Sequence, residues 1–157
     1  MDNAKKQLKG SETRDRFKQL HKAMLPAHCY ALDSDLELVE KLPFPFIVAR
    51  IDFKVEGDQL TFAEAISYDY LLNGLPSEYR IPVFIIEATR AFRVSEDPSD
   101  HRFTVWEIIE VDYKPEPPLR KANKLLSGLT WRELAEWEIR LREARRAEML
   151  LKVRGNL

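Results

Sequence analysis

Apolar positions over residues 11–25 recur at helical spacing. Phe17, Leu20, Met24 and Leu25 share one face, Ser11 stands at a capping position and Pro26 ends the run. The period then changes to two. In HCYALDSDLELVE (28–40), Leu32, Leu36 and Leu38 point one way while Ala31, Asp33, Asp35 and Glu37 point the other, which predicts a strand. KLPFPF makes a turn, and FIVARIDFKV (46–55) predicts a second strand, apolar enough for a sheet interior. In TFAEAISYDYLLNG, Thr61 and Glu64 form a capping box and Asn73-Gly74 a stop, so a helix is expected between them. IPVFIIEAT (81–89) reads as a buried strand, and strand–helix–strand predicts a parallel pair. FTVWEIIEVDY (103–113) is the last strand expected.

KPEPPLR opens a stiff linker over 114–129, and Thr130 with Glu133 caps a helix that runs to about residue 153 before Gly155. The order α-β-β-α-β-β-α predicts an α/β protein with a central mixed sheet flanked by helices. The expected division is an α/β domain over 1–113, the linker, and an amphipathic helix over 130–154.

Composition narrows the function. The chain has 157 residues, one cysteine, three histidines and five glycines. A single cysteine excludes an internal disulfide framework and makes a reducing, cytoplasmic setting the expectation. With scattered histidines it cannot build a zinc finger. Neither GxGxxG nor GxxxxGK[ST] occurs, so the common nucleotide-cradling loops are missing. No apolar run reaches membrane-span length, and the polar first residues are not expected to form a secretory signal.

Net charge is −1, yet it is segregated. Residues 1–29 carry 7 basic and 3 acidic side chains, 30–118 carry 8 and 18, and 119–157 carry 10 and 5. An acidic centre between basic ends suits a metal site flanked by phosphate-gripping helices; solvated helix faces around an acidic sheet give the same arithmetic.

Asp52 and Lys54 lie two apart on an otherwise apolar strand and therefore share a face, as do Asp33 and Asp35 on the strand before. Burying unpaired charge is costly, so such pairs need a reason. If the strands are neighbours, the carboxylates and the ammonium converge. Carboxylate oxygens suit Mg²⁺, and a lysine beside the ion suits phosphodiester hydrolysis.

LDSDLELV, then ARIDFK after nine intervening residues, then a helix and PVFIIEA, resembles the PD-(D/E)xK nuclease superfamily over about residues 11–112. The resemblance implies a restriction endonuclease-like core and a Mg²⁺- or Mn²⁺-dependent nuclease acting on DNA. Asp52-Phe53-Lys54 matches (D/E)xK, and Asp35 the upstream metal-binding Asp, with Asp33 the other choice. Metal ligation then falls to Asp35, Asp52 and Asp33, and catalysis to Asp35, Asp52 and Lys54. Family members often carry Gln and Tyr on the following helix; this chain has Tyr68 and Tyr70 but no Gln.

Two alternatives stand beside it. Asp35-Leu36-Glu37-Leu38 is similar to the acidic pair of nucleotidyltransferases, although Gly10-Ser11 lies 25 residues upstream with a helix between. A non-catalytic module is the other. Leu134, Trp137, Leu141, Ala144 and Leu151 make a seam on the C-terminal helix that either docks onto the domain or pairs with another chain, and a homodimer or partner-protein contact through 130–153 is the expectation. Arg140, Arg142, Arg145 and Arg146 are expected on its outer, solvated face. Cys29 beside His28 reads as a buried structural residue and His101 as an exposed loop residue.

Overall fold

A computed structural model describes residues 16–17, 19–21, 30–31, 37–41, 44–93 and 95–155. Residues 16, 17 and 19–21 are helical (α1). Six strands follow in one sheet: β1 (Tyr30–Ala31), β2 (Glu37–Glu40), β3 (Phe46–Val55), β4 (Val83–Ala88), β5 (Phe103–Asp112) and β6 (Leu119–Leu129). Spatial order equals chain order, and every neighbouring pair is antiparallel except β3 and β4. Those two are parallel because helix α2 (Phe62–Asp69) carries the chain back between them. The fold is α/β with a mixed sheet, and helix α3 (Trp131–Gly155) ends it.

Period-two alternation sorts β3. Ala49, Ile51 and Phe53 join Phe84, Ile86, Ala88, Phe103 and Val105 in the main core. Phe17 of α1 and Trp131, Leu134 and Trp137 of α3 cover that face. Phe17 is fully buried and stacks on Phe53 with ring centroids 4.3 Å apart; such burial stabilises by about 2–3 kcal/mol. On the other face α2 lays Tyr68 over Val83, Ile85 and Ile108. Asp52 and Lys54 therefore project into the layer between β3 and α2.

Both capping boxes form. Thr61 Oγ1 accepts from the Glu64 N–H while Glu64 Oε1 accepts from the Thr61 N–H, and Thr130 and Glu133 repeat the exchange at α3. After α2 the chain widens into a π turn over Tyr70–Gly74. Gly74 lets the Tyr70 ring pack close there: a Cβ would lie 2.6 Å from that ring, which would have to shift.

Four expectations are corrected. The strand expected over 28–40 is two strands, since Tyr30 and Ala31 pair antiparallel with Val39 and Leu38. The linker over 114–129 is largely β6, an eleven-residue strand that pairs antiparallel with β5. Only Leu129 of this edge strand is buried, so no apolar alternation announces it. The C-terminal helix is not a separate unit, because Trp131, Leu134 and Trp137 complete the core of the sheet.

The fourth correction concerns the arginines and His101. Arg142 and Arg145 are buried and donate to the backbone carbonyls of Val39 and Val48 at 3.3 and 3.0 Å, while Arg146 pairs with Glu40 at 3.1 Å. Only Arg140 of the four is exposed. A buried guanidinium must be paired, and carbonyls of β2 and β3 supply the partners. His101 is buried, stacked on Phe92 at 3.7 Å, and its Nδ1 accepts from Trp131 Nε1 at 3.0 Å. Burial holds its pKa below the ordinary histidine value, consistent with that acceptor role.

Candidate active site

The site grows from β3. Lys54 is almost wholly buried, at 4% exposure. An ammonium there without a counter-charge would cost several kcal/mol. Glu64, one turn into α2, supplies it: its two oxygens accept from Lys54 Nζ at 2.8 and 2.6 Å. The capping box that starts α2 thus also aims Glu64 at β3. Asp52 Oδ2 lies 4.0 Å from the same nitrogen and accepts from the Tyr68 hydroxyl. Glu64 and Tyr68 are four residues apart, on one face of the helix.

Two carboxylates therefore face one ammonium, and their titrations move in opposite directions. Burial, then a hydrogen bond to Glu64, raises Asp52 to about 6, against the pull of Lys54 and Tyr68. Burial also pushes Glu64 upward, but hydrogen bonds from Asp52, Lys54 and the Thr61 N–H outweigh it and hold Glu64 at about 2. Tyr68 is raised by burial and by the Asp52 charge, so it stays a hydroxyl donor.

A second layer adjoins. Glu87 pairs with Lys54 in the β3–β4 register, accepts from Trp106 Nε1 at 3.4 Å and lies 3.9 Å from Arg120. The Arg50 guanidinium sits 5.9 Å from the Tyr68 ring centroid.

Of the expected residues, β3 brings Asp52 and Lys54 together on one face. Asp33 and Asp35 lie outside the described residues, as do His28 and Cys29. Glu64 and Glu87 were not expected. The Glu64 signal was its capping role, which hid a second use; nothing local marks Glu87. Tyr68 is the buried one of the two tyrosines, and Tyr70 is exposed.

No family model matches the chain, and no curated protein or solved structure matches it significantly.

The donor chemistry fits a hard divalent cation. Asp52 and Glu64 present carboxylate oxygens 4.0 and 2.6 Å from the same Lys54 nitrogen, the hard-oxygen chemistry that such an ion takes. Among the described residues no three His, Cys, Asp or Glu side chains gather in a metal-binding group. No helix among them is long and apolar enough to cross a membrane.

Proposed function

We propose that this chain hydrolyses phosphodiester bonds of DNA with a divalent metal ion, through a site of the PD-(D/E)xK type. The observation that carries the reading is the buried Asp52–Lys54–Glu64 cluster on β3 and α2. The element order supports a restriction endonuclease-like core: α1, three antiparallel strands, then α2 leading to a parallel β4.

In this reading Asp52 would hold Mg²⁺ or Mn²⁺ with Asp35, or with Asp33 in its place. The ion supplies a lowered pKa for bound water and neutralises charge on the phosphoryl oxygens. Lys54 orients the attacking water and stabilises the negative charge that builds on those oxygens. Water adds to phosphorus, the phosphorus–oxygen ester bond breaks, and the proton that the water gives up is balanced by the one the departing oxygen takes from solvent. Tyr68 keeps Asp52 pointed across the layer, and Glu64 holds the Lys54 side chain in place until substrate competes for it.

Metal and proton compete for Asp52, so uptake strengthens as pH rises past about 6. Titration calorimetry with Mn²⁺ tests this. Wild type should bind above pH ~7 and Asp52→Asn should not. A wild type that takes up no Mn²⁺ at any pH removes the reading.

One observation favours the non-catalytic module as second reading. An apolar cleft of about 800 Å³ opens beside the last turns of α3, lined by Phe44, Phe46, Tyr79, Ile81, Met149 and Val153 among others. Leu150 and Leu151 are exposed on the same turns. A partner chain seated there would use part of the 130–153 segment.

A further inference from the structure

A second cleft, of about 570 Å³, lies where the first turn of α2 faces the loop that follows β5. Phe62 and Tyr113 stand on its rim, exposed at 59% and 41%. Their rings meet edge to face, 6.1 Å between centroids. Neither belongs to the two core clusters, so the rings are not held there by core packing. Lys114 and Glu116 line the same cleft, and β6 beyond it carries Arg120, which lies 3.9 Å from Glu87, and then Lys121 and Lys124 with no carboxylate of its own. Partway along that strand the Lys124 ammonium lies 5.1 Å from the Trp106 ring centroid.

Exposed aromatic faces next to a run of cations have a specific use. Unpaired bases stack on the rings while cations track the phosphates. A duplex keeps its base faces inside the stack and presents mostly phosphates, so it has no use for the rings. The cleft joins the carboxylate site directly: Thr61 lines the cleft, and its N–H donates to the Glu64 oxygen that also accepts from Lys54. From these placements we infer that the Phe62–Tyr113 cleft and β6 bind single-stranded nucleic acid and lead an unpaired strand to the Asp52–Lys54 site. The inference deepens the proposed hydrolase and rests on that reading for its direction.

Fluorescence anisotropy in EDTA, where no cutting occurs, measures binding apart from chemistry. The probes are a fluorescein-labelled oligothymidylate and a duplex of the same length. Wild type should bind the single strand about tenfold more tightly than the duplex, and affinity should fall with salt. Replacing both rings by leucine (F62L with Y113L) keeps apolar contact at the rim and removes the stacking faces. That variant should lose about tenfold or more on the single strand and little on the duplex, whereas Phe62→Tyr should bind like wild type. Unchanged single-strand affinity in the double variant overturns the inference, as does equal affinity of wild type for both probes, or binding to neither. Asp52→Asn separates the two claims. Retained binding with Mn²⁺ uptake lost supports both, while a binding track on a protein that never takes up metal leaves the inference standing and removes the hydrolase.

Discussion

The Lys54 ammonium lies 2.6 and 2.8 Å from the two oxygens of Glu64, ten residues downstream on a different element. Strand β3 and helix α2 are thereby tied at the point where the chain turns back to build its parallel pair. Removing one partner strands the other charge in a largely buried layer. Lys54→Met should cost about 2–3 kcal/mol, read by urea denaturation at neutral pH. Restoring apolar character on both sides, with Glu64→Leu added, should recover part of the loss. A single variant as stable as wild type would mean the pair contributes nothing.

Asp52 and Glu64 make opposite contributions to stability against pH. Asp52 titrates at about 6 in the fold against its ordinary 3.8, so its ionisation costs stability as pH rises from about 4 to 6 and the full cost persists above. Glu64 titrates at about 2 against 4.5, so its contribution is present above 4.5 and lost as pH falls toward 2. Asp52→Asn should therefore stabilise the protein by about 1–3 kcal/mol at pH ~8 and by little at pH ~4. Thermal melts at the two pH values check the sign. Equal shifts at both would show that the carboxyl is not raised.

Tyr68 works against that elevation, since its hydroxyl bond favours ionised Asp52. Tyr68→Phe should lift Asp52 further and move the acidic limb of any metal-uptake or cleavage profile to higher pH. The lost hydrogen bond should cost about 1 kcal/mol of stability. A profile that keeps its midpoint while stability falls would assign Tyr68 to packing alone.

On the opposite face, Glu138 of α3 has no exposed surface and holds His21 Nε2 at 2.7 and 2.9 Å, fastening α1 to α3. Glu138→Ala should lower stability by about 3 kcal/mol, roughly 10 °C in Tm for a chain of this size. Glu138→Gln, which keeps one hydrogen bond, should lose less. Differential scanning calorimetry distinguishes the two.

The candidate site was half legible in the sequence. Asp52 and Lys54 stood out because two charges interrupt an apolar strand at period two, and β3 keeps that period over ten residues. The helix between the parallel strands was legible from Thr61 and Glu64, yet the same capping signal concealed that Glu64 reaches Lys54 across the layer. A long-range contact between two elements leaves no local periodicity. β6 escaped notice for a related reason: Lys121, Asn123 and Lys124 give an edge strand that is solvated almost throughout, with a Pro-rich lead that reads as linker. Arg142 and Arg145 read as solvated because their partners are backbone carbonyls, which no residue type advertises.

Cleavage of supercoiled plasmid with Mg²⁺ or Mn²⁺, comparing wild type with Asp52→Asn and Lys54→Met, tests the central claim most directly. The account predicts metal-dependent nicking by wild type, absent with EDTA and lost in both variants while each remains folded. Nicking that survives in the folded variants, or a folded wild type that leaves the plasmid intact with either ion, would contradict it.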